Sequence, residues 1–197
     1  MATTAAPYGL RPMNAIGGRV YSGSTTMYPI TSGLATNIFY GDIVFIDANG
    51  VIQRIATVGS AAAVFPVGTI GVFMGCSYTD ANQGFLQNQM WPTGQVAADA
   101  QAYVVDDPDV RFQVQCSATA AQTALLGNCP IVLGAGSTAT GNSTISLNIA
   151  GAAAGATLGL KIIGFSDSVD SVVGDAFTDV IVNFNPSSHA MLTGTGL

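Results

Sequence analysis

From residue 110 to residue 116 the apolar side chains of Val110, Phe112, Val114 and Cys116 alternate with Arg111, Gln113 and Gln115. A period of two puts neighbouring side chains on opposite faces of an extended strand, and no helix satisfies it. Other segments read the same way. Residues 42–47 and 51–55 flank Ala48-Asn49-Gly50, and Asn-Gly favours a hairpin because both residues tolerate positive φ. Residues 101–105 and 110–116 are expected to form another hairpin around Asp106-Asp107-Pro108-Asp109. Residues 27–30, 144–149, 160–165 and 179–184 also read as strands. Residues 67–77 form a longer apolar run broken by Gly68, Gly71 and Gly75, the mark of bulges or close backbone approach. Residues 83–91 are a polar-aromatic stretch, a second hairpin or a projecting loop. The helix candidate is short, residues 118–126. Many short strands with glycine-rich turns predict an all-β fold, a β-sandwich or barrel-like domain with at most one or two short helices.

Residues 1–24 are expected as an extended N-terminal arm ahead of a single β-rich domain over 25–197. The segment carries Pro7 and Pro12, with isolated apolar anchors at Tyr8, Leu10, Met13, Ile16 and Val20. Such a segment suits strand addition to a neighbour's sheet edge. Its removal, by deletion of residues 2–20, is expected to leave a folded body.

Charge restricts function more than motif does. Only 8% of the residues are charged, against about 25% in ordinary soluble domains. The sequence has no glutamate, and Lys161 is its one lysine. A protein packed against neighbours needs less surface charge than one that diffuses freely. The net charge is −6, and before Asp42 there are two arginines and no acid. The acidic remainder repels phosphate, so nucleic acid is not an expected partner. No apolar run reaches the roughly 18 residues of a membrane span, and the N-terminal residues lack the pattern of a secretory signal. Cys76, Cys116 and Cys129, odd in number and widely spaced, read as buried free thiols.

The residues that catalysis uses are scarce. His189, the one histidine, stands near the C-terminus and is expected on the surface. No serine occupies a Gly-x-Ser-x-Gly frame. The run from Gly134 to Gly141 lacks the Gly-Lys-Ser/Thr ending of a phosphate loop and reads as a plain loop. Asp106, Asp107 and Asp109 are a weak candidate for a hard cation, but Asp-Pro-Asp is also ordinary turn chemistry. Asp167, Asp170, Asp175 and Asp179 read as a solvated loop. Trp91, Tyr78, Phe85 and Tyr103 would line a sugar platform or serve as core and interface anchors. No catalytic residue, resident metal or cofactor is expected, and the chain reads as non-enzymatic.

Three stretches carry a resemblance: Ala6-Pro7-Tyr8-Gly9-Leu10-Arg11-Pro12, then Tyr40-Gly41-Asp42-Ile43-Val44, then Pro66-Val67-Gly68 with Gly71-Val72-Phe73-Met74-Gly75-Cys76. Together they resemble the capsid decoration, or cement, proteins of tailed bacteriophages. The resemblance implies a β-sandwich or barrel-like fold bound outside an icosahedral shell at capsomer junctions. It implies the major capsid protein as partner, a homo-oligomer with a trimer favoured, and a place on the virion exterior after synthesis in the host cytoplasm. On that reading Pro7, Tyr8, Leu10, Arg11, Pro12, Met13 and Ile16 form the capsid-binding arm. The alternative is a tail, fibre or carbohydrate-binding adhesin component of the virion.

Overall fold

The computed structural model describes residues 4–56, 61–62, 64–155, 157–166, 169–194 and 196. Fourteen strands follow in order among them: β1 (Arg11–Ala15), β2 (Thr26–Pro29), β3 (Ile43–Ile46), β4 (Ile52–Arg54), β5 (Ala61–Ala62), β6 (Thr69–Asp80), β7 (Gly84–Asn88), β8 (Gln101–Val105), β9 (Val110–Gln115), β10 (Asn128–Cys129), β11 (Ile131–Val132), β12 (Ser146–Leu147), β13 (Leu160–Phe165) and β14 (Asp179–Phe184). They make three sheets. The first has the order β1-β9-β14-β13-β10, the second β2-β8-β6-β3-β4 with β7 also on β6, and the third β12-β11-β5. Every pairing between these strands is antiparallel. The architecture is the all-β, sandwich-like one that the sequence predicts.

The alternation in β9 does what its period demands. Val110, Phe112 and Val114 enter the main core with Ile162, Val180, Val182 and Phe184 of the same sheet. The second sheet faces them with Ile43, Val72 and Val105. Each of these three has a sequence neighbour, Val44, Phe73 and Val104, that points the other way into a second core with Ile30, Ile38 and Trp91. The second sheet is thus buried on both faces, which is why its strands read as continuous apolar runs rather than alternating ones.

Strand β6 is long because it serves two partners on one edge. Its first residues pair with β3 and its last with β7, while β8 runs along the other edge. The β8 register shifts between Phe73 and Cys76, as a bulge requires. Gly71 makes the crossing possible: its φ is +148°, and a Cβ there would lie 1.9 Å from the Val105 carbonyl oxygen.

The hairpin expected from 101–105 and 110–116 does not form: the Asp106–Asp109 turn carries the chain from one sheet to the other, with β8 paired to β2 and β6 and β9 paired to β1 and β14. Two further expectations need correction. The helix candidate at residues 118–126 forms only a single 3-10 turn, Gln122–Ala124. An alanine-rich segment this short, with little apolar face to pack, cannot sustain an α-helix. Helix among the described residues is confined to that turn and to Ile16–Gly18, Ile149–Gly151 and Pro186–Ser188. The second correction concerns the arm. Residues 11–15 are the edge strand β1 of the chain's own first sheet, paired with β9. Leu10 is fully buried in the main core, and the Ala6 N–H donates to the Gln115 side-chain oxygen at 2.8 Å. A bulge between Pro12 and Asn14 breaks the period of two and hides the strand in the sequence. Pro12 itself fits an edge strand, where a missing N–H costs no ladder bond. Residues 1–3 lie outside the described residues.

Candidate assembly surface

The first two stretches that carry the family resemblance meet in space. The Leu10 N–H donates to the Gly41 carbonyl at 3.0 Å, and the Gly9 N–H to that of Ile145 at 3.2 Å. Gly9 has φ +77°, and a Cβ on it would stand 2.6 Å from Ser143 Cβ and 2.7 Å from the Gly41 oxygen. Only glycine fits. Beneath this crossing lies Asp42, whose side chain is wholly buried. Its Oδ1 accepts from Ser143 Oγ at 2.6 Å, and its Oδ2 from the Phe39 N–H at 2.8 Å. Arg54 Nε stands 2.7 Å from the same Oδ2, and Arg54 Nη2 donates to the Gly134 carbonyl at 2.6 Å. Burial pushes the Asp42 carboxyl above its ordinary value, while Arg54 and the two donors pull it back. The group ties residues 39–42, 54, 134 and 143 into one junction. Sequence reasoning missed it, since neither a Gly-Asp pair nor a lone serine announces a partner a hundred residues away.

The arm candidates divide into two sets. Leu10 is interior and Pro12 faces inward opposite Phe112. Tyr8 is half-buried under the Arg11 guanidinium, which lies 4.1 Å from the ring centroid. Burial, followed by the nearby Asp179 carboxylate, pushes its phenol far above the ordinary value. Pro7 borders a shallow hollow with Gln115, Cys116 and Phe177. Arg11, Met13 and Ile16 remain exposed.

The candidates for chemistry are each occupied structurally. His189 is 1% exposed, not on the surface, and its ring meets that of Phe184 edge-on at 5.4 Å. Its Nδ1 accepts from the Met191 N–H at 3.2 Å, and burial lowers its pKa below the ordinary value. The histidine is interior because the C-terminal chain folds back, with the Ala190 N–H donating to the Thr69 carbonyl at 2.7 Å. The three cysteines are free and buried, and burial raises Cys76 and Cys116 to about 12 and Cys129 to about 11. The carboxylates of Asp106, Asp107 and Asp109 diverge. Asp106 accepts from the hydroxyls of Thr26 and Tyr28, Asp107 from the Asp109 N–H, and Asp109 pairs with Arg19 at 2.7 Å. Turn chemistry accounts for this cluster. Of the other acidic group, Asp167 lies outside the described residues, and Asp179 belongs to strand β14 rather than to a solvated loop. The Gly134–Gly141 loop passes over the Phe39 ring, where a Cβ on Gly136 would lie 2.2 Å from ring carbon. Trp91 is fully buried against Tyr78, with ring centroids 5.2 Å apart, so neither forms a sugar platform.

The fold leaves large apolar side chains outside on several elements. Val20, Met27, Phe85, Val96 and Val169 are all more than 60% exposed. Comparison with known family models, curated proteins and solved structures finds no match to this chain.

Proposed function

We propose that this chain is a non-enzymatic structural virion protein. It binds the outer surface of an icosahedral phage capsid and stabilises contacts between major capsid protein subunits. It acts as a homo-oligomer, for which the family resemblance favours a trimer, on the virion exterior after synthesis in the host cytoplasm. The observation that supports this reading best is the surface itself. It exposes large apolar side chains from several elements while only 8% of the residues are charged. Scattered exposed apolar residues are normal, but a charge-poor surface bearing many of them suits a protein that works in contact with others. Copies arrayed by shell symmetry bind through many weak contacts at once, so no single contact need be strong. The buried thiols, the buried imidazole and the hydrogen-bonded carboxylates support the non-enzymatic part.

The test is addition of the purified protein to expanded phage heads that lack it. Co-sedimentation at saturating, symmetry-related occupancy is the expected result, together with heads that withstand more heat before releasing DNA. Failure to bind any expanded head of the phage that encodes the chain would overturn the proposal. The adhesin alternative is left with Phe85 on the β6–β7 hairpin and the half-buried Tyr103, since Trp91 and Tyr78 are interior. Binding to a glycan array by the intact chain would favour that alternative.

A further inference from the structure

Charge is scarce in this protein, and the fold segregates it. Arg54 is buried against Asp42. The other four bases lie on or beside the first sheet. Arg11 on β1 stands opposite Gln113, Arg111 on β9 opposite Asn14, and Lys161 on β13 opposite Asn183. Their strand neighbours Leu10, Val110, Phe112, Leu160 and Ile162 are core residues, so the period of two turns these three bases outward. Arg19 follows just beyond β1. The five strands of this sheet hold three bases and one acid, Asp179. That is net +2 on a chain of net −6.

The basic face is neutralised from within only in part: Arg19 pairs with Asp109 and Arg11 stacks on Tyr8 near Asp179, which leaves Arg111 and Lys161. Two ion pairs form among the described residues, Arg19 with Asp109 and Arg54 with Asp42, and neither involves Arg111 or Lys161. Arg111 Nε and Asn14 Oδ1, on paired residues, are buried without a hydrogen-bond partner. The same holds for Asn128 Oδ1, whose residue is paired with Lys161. Partly exposed Ile163 and Ile181 supply aliphatic surface on the same sheet.

The complement is on the second sheet. At the far end of β6 and β7, Thr79 pairs with Phe85 and Asp80 with Gly84. Phe85 is 65% exposed and Val96 72%. Asp99 accepts from the Thr79 hydroxyl at 2.6 Å and the Thr79 N–H at 3.0 Å. Asp80 accepts from the Asn82 and Gln83 N–H groups and from Gln95. These bonds fix two carboxylates at the same hairpin end as the exposed Phe85 and hold both below the usual carboxylate range. Phe85 with Asp80 and Asp99 thus makes an acidic, aromatic tip, and an aromatic anchor meeting arginine is the usual composition of an interface centre.

We infer that the acidic tip of the β6–β7 hairpin of one copy docks on the basic outer face of the first sheet of the next copy. The chain carries both halves of this contact on separate sheets, which is the reason to name a second copy as occupant. A contact between two different surfaces is heterologous, so copies join head to tail and close into a ring where the rotation permits. The inference rests on the proposal that the chain works within an assembly. Its test uses free protein without capsids, so self-association and shell binding succeed or fail separately.

The experiment is sedimentation velocity of the intact chain at low salt and at about 1 M salt, where charges are screened beyond about 3 Å. The expected result is an oligomer at low salt that dissociates at high salt. A double variant, Arg111→Glu with Lys161→Glu, sediments as a monomer, and so does Asp80→Lys with Asp99→Lys. Mixing the two restores assembly, because each then offers what the other has lost. Phe85→Ser alters a side chain already in solvent and weakens association by about tenfold or more. Circular dichroism of each variant matching the parent excludes unfolding as the cause. A parent chain that is monomeric at every concentration and salt overturns the inference. So does an oligomer unaffected by both Phe85→Ser and the Arg111/Lys161 reversal.

Discussion

Ser143 Oγ donates a 2.6 Å hydrogen bond to Asp42 Oδ1, joining two residues 101 positions apart at a fully buried carboxylate. The bond belongs to a set in which Arg54 and the Phe39 N–H hold the other carboxylate oxygen. Removing one member of a buried ion pair leaves the other charge uncompensated. Asp42→Ala is therefore expected to destabilise the fold by about 3 kcal/mol or more. Ser143→Ala, which deletes one hydrogen bond to a charged group, should cost about 2 kcal/mol. Urea unfolding of both variants measures the difference, and an Asp42→Ala variant of parental stability would show that the junction is dispensable.

Gly9 and Gly17 separate backbone strain from crowding. Their φ values are +77° and +80°, so a side chain is strained at either. A Cβ at Gly17 has nothing within 4 Å, whereas one at Gly9 meets Ser143 and Gly41 below 3 Å. Gly17→Ala should cost about 1 kcal/mol, the strain alone. Gly9→Ala should cost more, about 3 kcal/mol, because overpacking is added to strain. Equal midpoints in denaturant would mean that residues 7–12 pack less tightly against Gly41 than the structure shows.

Deletion of residues 2–15 removes β1 from its own sheet and takes Leu10 out of the core. Contrary to the detachable-arm expectation, the truncated chain should unfold cooperatively at lower denaturant or fail to fold. Leu10→Ala alone should cost about 2–5 kcal/mol, the range for a large-to-small change in a core. A truncated chain with parental thermal stability would restore the arm.

The contrast between β9 and β1 shows which parts of this fold a reader of the sequence can see. In β9 the alternation is unbroken, and hairpins with tight turns, such as Asp47 to Gly50 between β3 and β4, are local enough to be read directly. In β1 one bulge hides the period, and its partner β9 lies about a hundred residues away. The junction at Asp42 was invisible for the same reason, because it draws on residues 39, 54, 134 and 143. His189 misled because its burial depends on the C-terminal chain returning to Thr69, which no local signal marks. Glycines were legible as close approaches in general, but not as to what approaches. Only the structure pairs Gly71 with Val105 and Gly136 with Phe39.

The cysteines offer a direct check on both cores. Cys76 lies in the core behind the second sheet, and Cys116 and Cys129 lie in the main one. Thiolate is the reactive form, and burial raises all three thiols to about 11–12. At pH 8 the native protein should therefore react with a thiol reagent only as fast as it opens, and all three sites should react at once in denaturant. Rapid labelling of Cys76 alone would show that the second core opens independently of the first.

Acid should weaken the fold through His189. Burial disfavours the imidazolium, so the folded pKa lies below the ordinary 6.5, although Asp106, Asp107 and the bond to the Ile70 backbone oppose the shift. The unfolded chain then binds a proton that the folded chain refuses. Stability is unaffected by this group above about pH 6.5, falls as the pH drops through that value, and stops falling once the folded histidine is also protonated. The melting temperature of the parent should decline between about pH 7 and pH 5. His189→Gln should start lower, having lost the edge-on contact with Phe184, but its melting temperature should decline less over the same interval. Parallel profiles for the two proteins would assign the acid sensitivity to the carboxylates instead.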